Sequence, residues 1–491
     1  MNLAKLNQTI TFDDKAIATD PDSPESWYNR GVVLGSLGQF EEEIAAYDRA
    51  IESKPDYYEA WTNRGVALGS LGRLEEEIAS YDKAIEYEPD YHPAWYNRGV
   101  ALRNLGRLKE AIASYDRAIA AKPDYHKAWN NRGMALWNLK QFNEAIASFD
   151  KAIEYKPDFH EAWNNRGMAI RNLGQFEEEL ASYDKAIECK PDYEEAWNNR
   201  GMVLWKLGRF YEAIAAFDKA IEYKRNFHEA WNNRGVVLRN LQRFEDAIAS
   251  FDKAIECKPE SHAAWNNRGI ALGNLGRYEE SIDAFDKAIE CKPNYYPAWN
   301  NRGIALGNLG RFNDVIASFD KALEYKPDFH EAWYYRGVAL GNLGRFTEAV
   351  DSFNKAIGFK PYFHEAWYDR GIALGNVGRF EEAIASFDKA VHFKPHFYEA
   401  WYDRGIVLGN LERFDEAIAS YEKAIEFKPD MHAAYYLKAR CHAVQGNIDL
   451  ALENLQHAIQ LSPDQYKKMA VADADFNSIR SDSRFQALIE G

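Results

Sequence analysis

A tryptophan returns every 34 residues along this chain, at Trp27, Trp61, Trp95, Trp129, Trp163, Trp197, Trp231, Trp265, Trp299, Trp333, Trp367 and Trp401. A thirteenth copy of the surrounding unit carries Tyr435 at the same place. A strict period of this length constrains the fold more than any other property. Each unit is a small module that cannot bury its apolar face alone, so neighbours must stack. The units cover residues 24–465, and the prior of about three globular domains for such a length gives way to one extended array.

The unit from His126 to Phe159 shows the pattern; places below are counted from its first residue, His126. Trp129, Gly133 and Leu136 share one face of a first helix by their spacing of four and three. Ala145, Ile146, Phe149, Ala152 and Ile153 make the matching stripe on a second helix. The break falls near Asn138 to Phe142, where other units carry Gly106, Gly174, Gly208 or Gly276, suited to the left-handed residue that ends a helix. Pro157 stops the second helix and favours an extended residue before it. Each unit is therefore read as helix, tight turn, helix and proline-marked turn.

Trp129, Gly133, Leu136, Ala145, Phe149, Ala152 and Pro157 together resemble the tetratricopeptide repeat. The resemblance implies an all-α fold, an α-solenoid in which antiparallel helix pairs stack into a right-handed superhelix. The Asn-Arg-Gly wording of the units is similar to bacterial arrays, cyanobacterial ones especially. One departure is systematic: the place before the glycine, usually Leu in the family, is Arg in twelve units from Arg30 and Arg64 to Arg404. That arginine lies beside a packed stripe and calls for an acidic partner. Asp48, Asp82, Asp116 and Asp150 recur once per unit, which predicts an Arg–Asp ladder along the wall with Asn354 as its odd rung. A solvated arginine covering apolar surface with its stem is the other reading.

Residues 1–23 contain half a unit, with Phe12, Ala16 and Pro21 at the Phe, Ala and Pro places, read as a half repeat or cap. Residues 466–491 are read as capping helices, Phe485, Leu488 and Ile489 following Asp482 and Ser483 at a helix start. Between these ends, Arg225 replaces the closing proline of the sixth unit, and Lys140, Gln242 and Glu412 replace the turn glycine. Each Trp and each Phe or Tyr of the second helix is expected to pack between helices, with Gly and Ala permitting close approach.

A net charge of −16 argues against binding a phosphate backbone. No apolar run approaches the ~20 residues that span a bilayer, and the start lacks the basic segment and cleavage site of a signal peptide. A cytoplasmic location is the expectation. Cys189, Cys257 and Cys291 share one place in three units, too far apart to bridge, and are read as packed free thiols; Cys441 stands alone.

Function falls to positions that packing does not claim. On the first helix the second, fifth, ninth and twelfth places form a stripe. The family resemblance implies that this stripe, with the sixth and thirteenth places, lines a concave peptide-binding face. The sixth place reads Asn29, Asn63, Asn97, Asn131, Asn165, Asn199, Asn233, Asn267 and Asn301, then Tyr335, Asp369 and Asp403. This row is similar to the asparagine ladder in the tetratricopeptide superhelix of O-GlcNAc transferase. A carboxamide carries donors and an acceptor, so it can pair with an extended backbone of any sequence; it can equally satisfy local groups. Selectivity is expected from the twelfth place, which is Arg103, Trp137, Arg171, Trp205 and Arg239 in units three to seven and Gly elsewhere in the first twelve units. Met134, Met168 and Met202 stand at the ninth place of the same stretch. Aromatic and Arg side chains favour binding hot spots and Met adapts to varied partners, so the candidate groove is centred there. Simple packing of Trp137 and Trp205 against neighbouring helices is the alternative.

The family's carboxylate clamp for chaperone tails needs Lys at the fifth place and Asn at the ninth, and neither is present. The GNLGR turns lack the lysine of a phosphate loop. Histidines such as His92, His126 and His160 recur one unit apart, too far to share an ion. Neither cofactor nor metal is implied. The expectation is a non-catalytic scaffold holding extended segments of partner proteins; the alternative is the recognition arm of a larger enzyme or signalling protein.

Overall fold

What ends each helix explains why the same two helices form in every repeat. In the third repeat the first helix spans His92–Asn104 and the second Leu108–Ala121. Between them Gly106 sits at φ 75°. Its N–H donates to the Arg103 carbonyl and the Arg107 N–H reaches back to the Leu102 carbonyl, both at 2.9 Å, satisfying the last free carbonyls. The second helix stops at Lys122, held extended (φ −141°, ψ 90°) by the proline that follows. The Tyr125 N–H then closes the turn on the Lys122 carbonyl at 3.1 Å.

The computed structural model describes residues 19–20 and 23–490. The half unit read at Phe12, Ala16 and Pro21 lies outside them. Among the described residues the regular structure is helical throughout, and no helix is long and apolar enough to cross a membrane. The chain divides into two compact units between Leu241 and Gln242. Within each, a first helix packs on the second helix of its own repeat and on that of the repeat before. Near the C-terminal end, helices Pro463–Ala472 and Ser483–Glu490, with the short helical turn Ala474–Phe476 between them, bring Tyr466, Phe476 and Phe485 onto Leu452 and Leu455 of the last pair.

The two aromatic places are not equivalent. Phe149 and its counterparts are sealed in the wall, whereas Trp129 is half-buried. The indole explains the difference: its Nε1 donates to the Pro123 carbonyl at 2.9 Å, so the ring covers the wall while its polar edge ties down the preceding turn. Trp231 makes the same bond to Arg225 at 3.0 Å, so the missing proline leaves that turn intact. Gly133 is required by Phe149: a Cβ there would lie 2.6 Å from the ring.

The Arg–Asp ladder is present. Arg64, Arg98, Arg132, Arg166 and Arg200 donate Nε to Asp48, Asp82, Asp116, Asp150 and Asp184 of the preceding repeat at 2.6–2.7 Å. Arg370 makes the odd rung with Asn354 at 2.6 Å. Where the second helix offers a serine, Nη1 donates to it, as Arg98 does to Ser114 at 2.7 Å. Each guanidinium thus ties two repeats together. All four cysteines are free, but only Cys441 is buried; Cys291 is exposed, and Cys189 and Cys257 are half-buried, so dense packing of the shared place is not found.

Candidate functional site

The fifth and sixth places of adjacent repeats are hydrogen-bonded to one another. Asn63 and Asn131 donate Nδ2 to the phenolic oxygens of Tyr28 and Tyr96, both at 2.9 Å. Asn165, Asn199, Asn233 and Asn301 donate to Oδ1 of Asn130, Asn164, Asn198 and Asn266, each at 3.0 Å. Where the sixth place changes, the fifth place of the repeat before changes with it: Tyr334 and Tyr368 donate to Asp369 and Asp403 at 2.8 and 2.7 Å. Between Asn300 and Tyr335, where neither pairing is available, Tyr335 stacks on Phe319 instead, and Asn300 is left with a buried, unpartnered Oδ1. The amides are half-buried, with one N–H of each of these six spent inside the wall. A primary amide retains a second N–H for an incoming group. Burial pushes the Asp369 and Asp403 carboxyls up, opposed in part by the phenols that donate to them.

Recesses open between consecutive first helices at the same level. One of about 220 Å³ is floored by Phe285 and Ser281 and walled by Ile270, Gly273, Asn301 and Ile304. Others, of about 330, 210 and 310 Å³, repeat the arrangement over Phe319, Phe353 and Tyr421. In the N-terminal compact unit a recess of about 310 Å³ lies over Tyr81, between Val66, Gly69, Asn97 and Val100. In each case the twelfth place is glycine.

In repeats three to seven that place is filled. Trp137 packs with Met134 over Phe149, and Trp205 with Met202 over Phe217. Arg171 donates Nε to Glu179 at 2.7 Å and Nη2 to the Tyr183 oxygen at 3.0 Å. Met168 takes a weak bond from Asn164 at 3.6 Å. Arg103 reaches the Asn131 carbonyl oxygen at 3.4 Å. Arg239 and Asn267 are half-buried on the same places of their helices. The large side chains singled out in the sequence therefore occupy the space that is open at the glycine-bearing repeats. Those glycines mark recesses that the sequence does not make visible, because a residue without a side chain draws no attention to the space it leaves.

His92, His126, His160, His262, His330 and His364 begin their helices and meet the aromatic residue before the next first helix edge-on, as His126 does Phe159 at 5.0 Å.

Tetratricopeptide repeat family models match residues 36–87, 130–194, 198–262, 300–362, 368–431 and 402–466, with further matches at 92–125, 262–295 and 14–45. A prenyltransferase alpha subunit repeat model matches residues 74–105 alone. No curated protein sequence matches. Among solved structures, the chain is similar to YrrB, described as a tetratricopeptide protein with an unusual peptide-binding site, at 26% identity over 38% of this chain and 96% of that one, TM-score 0.35. It is similar to MamA at 26% identity over 34% of this chain and 92% of that one, TM-score 0.32. A tetratricopeptide repeat protein from Parabacteroides merdae shares 19% identity over 51% of this chain and 98% of its own, TM-score 0.41.

Proposed function

Because the chain belongs to the tetratricopeptide repeat family of protein-interaction scaffolds, we propose that it acts without catalysis and receives extended segments of partner proteins along the face built by its first helices. The observation that carries this reading is the recurrence of recesses over Tyr81, Phe285, Phe319, Phe353 and Tyr421. Each offers an aromatic floor and flanking polar groups, the composition of a site that takes one side chain and orients it. An extended polypeptide suits such a row because its side chains and its unpaired backbone groups are both available along its length. The half-buried amides and carboxyls at the sixth place stand beside the openings, where they can meet that backbone.

Repeats four and six supply the test. Gly273→Trp and Gly307→Trp place there the residue those repeats carry, and the space is present: an added Cβ meets nothing closer than 3.4 Å at Gly273 and 3.9 Å at Gly307. The full chain and the double variant are incubated with an array of defined extended peptides. Capture should fall in the variant while helical circular dichroism is kept. Equal capture by both proteins, or capture of no peptide by either, would remove the reading.

A further inference from the structure

Place twenty, on the second helix, is acidic in three repeats only: Glu43, Glu77 and Glu179. All three carboxylates are buried, at 7%, 8% and 0% exposure. Each faces a tyrosine four residues on; the Tyr81 hydroxyl donates to Glu77 at 3.1 Å, and that of Tyr183 to Glu179 at 3.3 Å. In the fifth repeat the arrangement is completed from within the chain. Arg171, at place twelve, lays its guanidinium against Glu179 and Tyr183. In the first two repeats place twelve is Gly35 and Gly69, and the carboxylate lies directly behind the glycine, 2.5 and 2.8 Å from where a Cβ would stand. Among the described residues, no cation pairs with Glu43 or Glu77. Glu77 instead lines the open recess over Tyr81.

A buried carboxylate with one phenol for company is costly unless a cation meets it. The fifth repeat shows which group fits and from which direction: a guanidinium entering beside place twelve. On the premise that this face receives extended segments, we infer that Glu43 and Glu77 are two acidic seats, one repeat apart, for arginine or lysine side chains of the partner polypeptide. The partner is thus a segment with basic residues, complementary to a chain of net charge −16. Specificity rests on the seats, because a burial-matched carboxylate and phenol select a cation that surface acids merely attract. Burial also pushes both carboxyls up from their ordinary range, so an arriving cation is welcomed by groups otherwise poorly solvated.

The test uses the full chain and a fluorescent, terminally blocked hexa-arginine peptide, followed by anisotropy. Glu43→Gln and Glu77→Gln should each weaken binding by about tenfold, the worth of one charge-assisted bond. Gly69→Arg, which writes the fifth repeat's arrangement into the second, should weaken it similarly by occupying the seat. Glu42→Gln with Glu75→Gln removes twice that charge from exposed positions and should leave affinity unchanged. Circular dichroism confirms that every variant remains helical. Equal loss in the exposed-acid control would reduce the effect to diffuse attraction and overturn the inference. So would unchanged affinity in the Gln and Arg variants. If the array described above captures neutral peptides while hexa-arginine goes unbound, the seats are refuted and the groove stands. If neither binds, both fall.

Discussion

Arg132 donates Nε to Asp116 across the joint between two repeats at 2.6 Å, and Nη1 to Ser148 within its own repeat at 2.7 Å. One side chain therefore reports on the packing of three helices. Its stem lies against the wall and its head passes over the indole of Trp129, 5.9 Å from the ring centre. A leucine at this place would contribute burial alone. The arginine adds direction, because its planar fork is satisfied only when the preceding repeat is in register.

Arg370 makes the same contact without the charge, since Asn354 stands where its neighbours have aspartate. Burial, with no carboxylate at that rung, pushes the Arg370 guanidinium down. Asn354→Asp should therefore stabilise the C-terminal compact unit, and Asp320→Asn, which takes the charge from the neighbouring rung to Arg336 and leaves its acceptor, should destabilise it. The aspartates are about half exposed, so each effect should be about 0.5–1 kcal/mol and should shrink in salt. Repeat arrays need not unfold in one step, so hydrogen exchange of the local helices is the measurement. Opposite signs at the two sites check the argument.

Lys140, Gln242 and Glu412 adopt φ of 62°, 59° and 59° in turns where every other left-handed position is glycine. An L side chain is strained in that region by about 1–2 kcal/mol. Glycine costs something in the unfolded chain, so the net gain from Lys140→Gly or Glu412→Gly should be about 1 kcal/mol, read as slower hydrogen exchange of the helices that flank the turn. No gain at either site would mean that the lysine or glutamate makes compensating contacts in the turn.

These turns, the helix pairs and the Arg–Asp ladder could all be read from the sequence, because each depends on spacing within one period. Other features could not, for identifiable reasons. Trp129 and Phe149 look alike as apolar residues, yet only the indole has an N–H that the turn carbonyl can claim, which draws it toward the surface. The pairing of place five with place six of the next repeat depends on how far neighbouring helices are offset. The switch from Asn164–Asn199 to Tyr334–Asp369 is recognisable as paired only once that offset is known. Glu43 and Glu77 were hidden by their neighbours. They end runs of three glutamates that resemble an ordinary solvated helix start, and the 3.6-residue period turns only the third inward.

Two glycines on first helices should respond oppositely to a methyl group. At Gly133 a Cβ would be 2.6 Å from the Phe149 ring, which is sealed in the wall and cannot withdraw. Gly133→Ala should cost about 1–3 kcal/mol through overpacking. At Gly341 a Cβ meets nothing within 4 Å, and alanine in a helix interior is worth about 0.5–1 kcal/mol over glycine. Denaturation of the two variants should shift in opposite directions. A common sign would show that the wall yields more than its density suggests.

The buried acids give stability a pH dependence that differs between repeats. Burial raises the Glu43 and Glu77 carboxyls above their unfolded values. The folded chain therefore holds protons that the unfolded chain has released, and stability is lost as pH rises through the raised values. Below the ordinary carboxyl range both states are protonated, and the penalty disappears. Glu43→Gln and Glu77→Gln should thus raise the melting temperature at neutral pH and change it little in acid, with the gap opening as pH increases. Glu179→Gln should behave otherwise. Its partner Arg171 is three-quarters buried and would lose the carboxylate that compensates it, so this substitution should lower stability at neutral pH. The same amino acid at the same place then yields opposite signs, decided by whether the chain supplies its own cation. Melting of all three variants between acid and neutral pH is the measurement, and a shared sign would show that the arginine does not offset the buried charge.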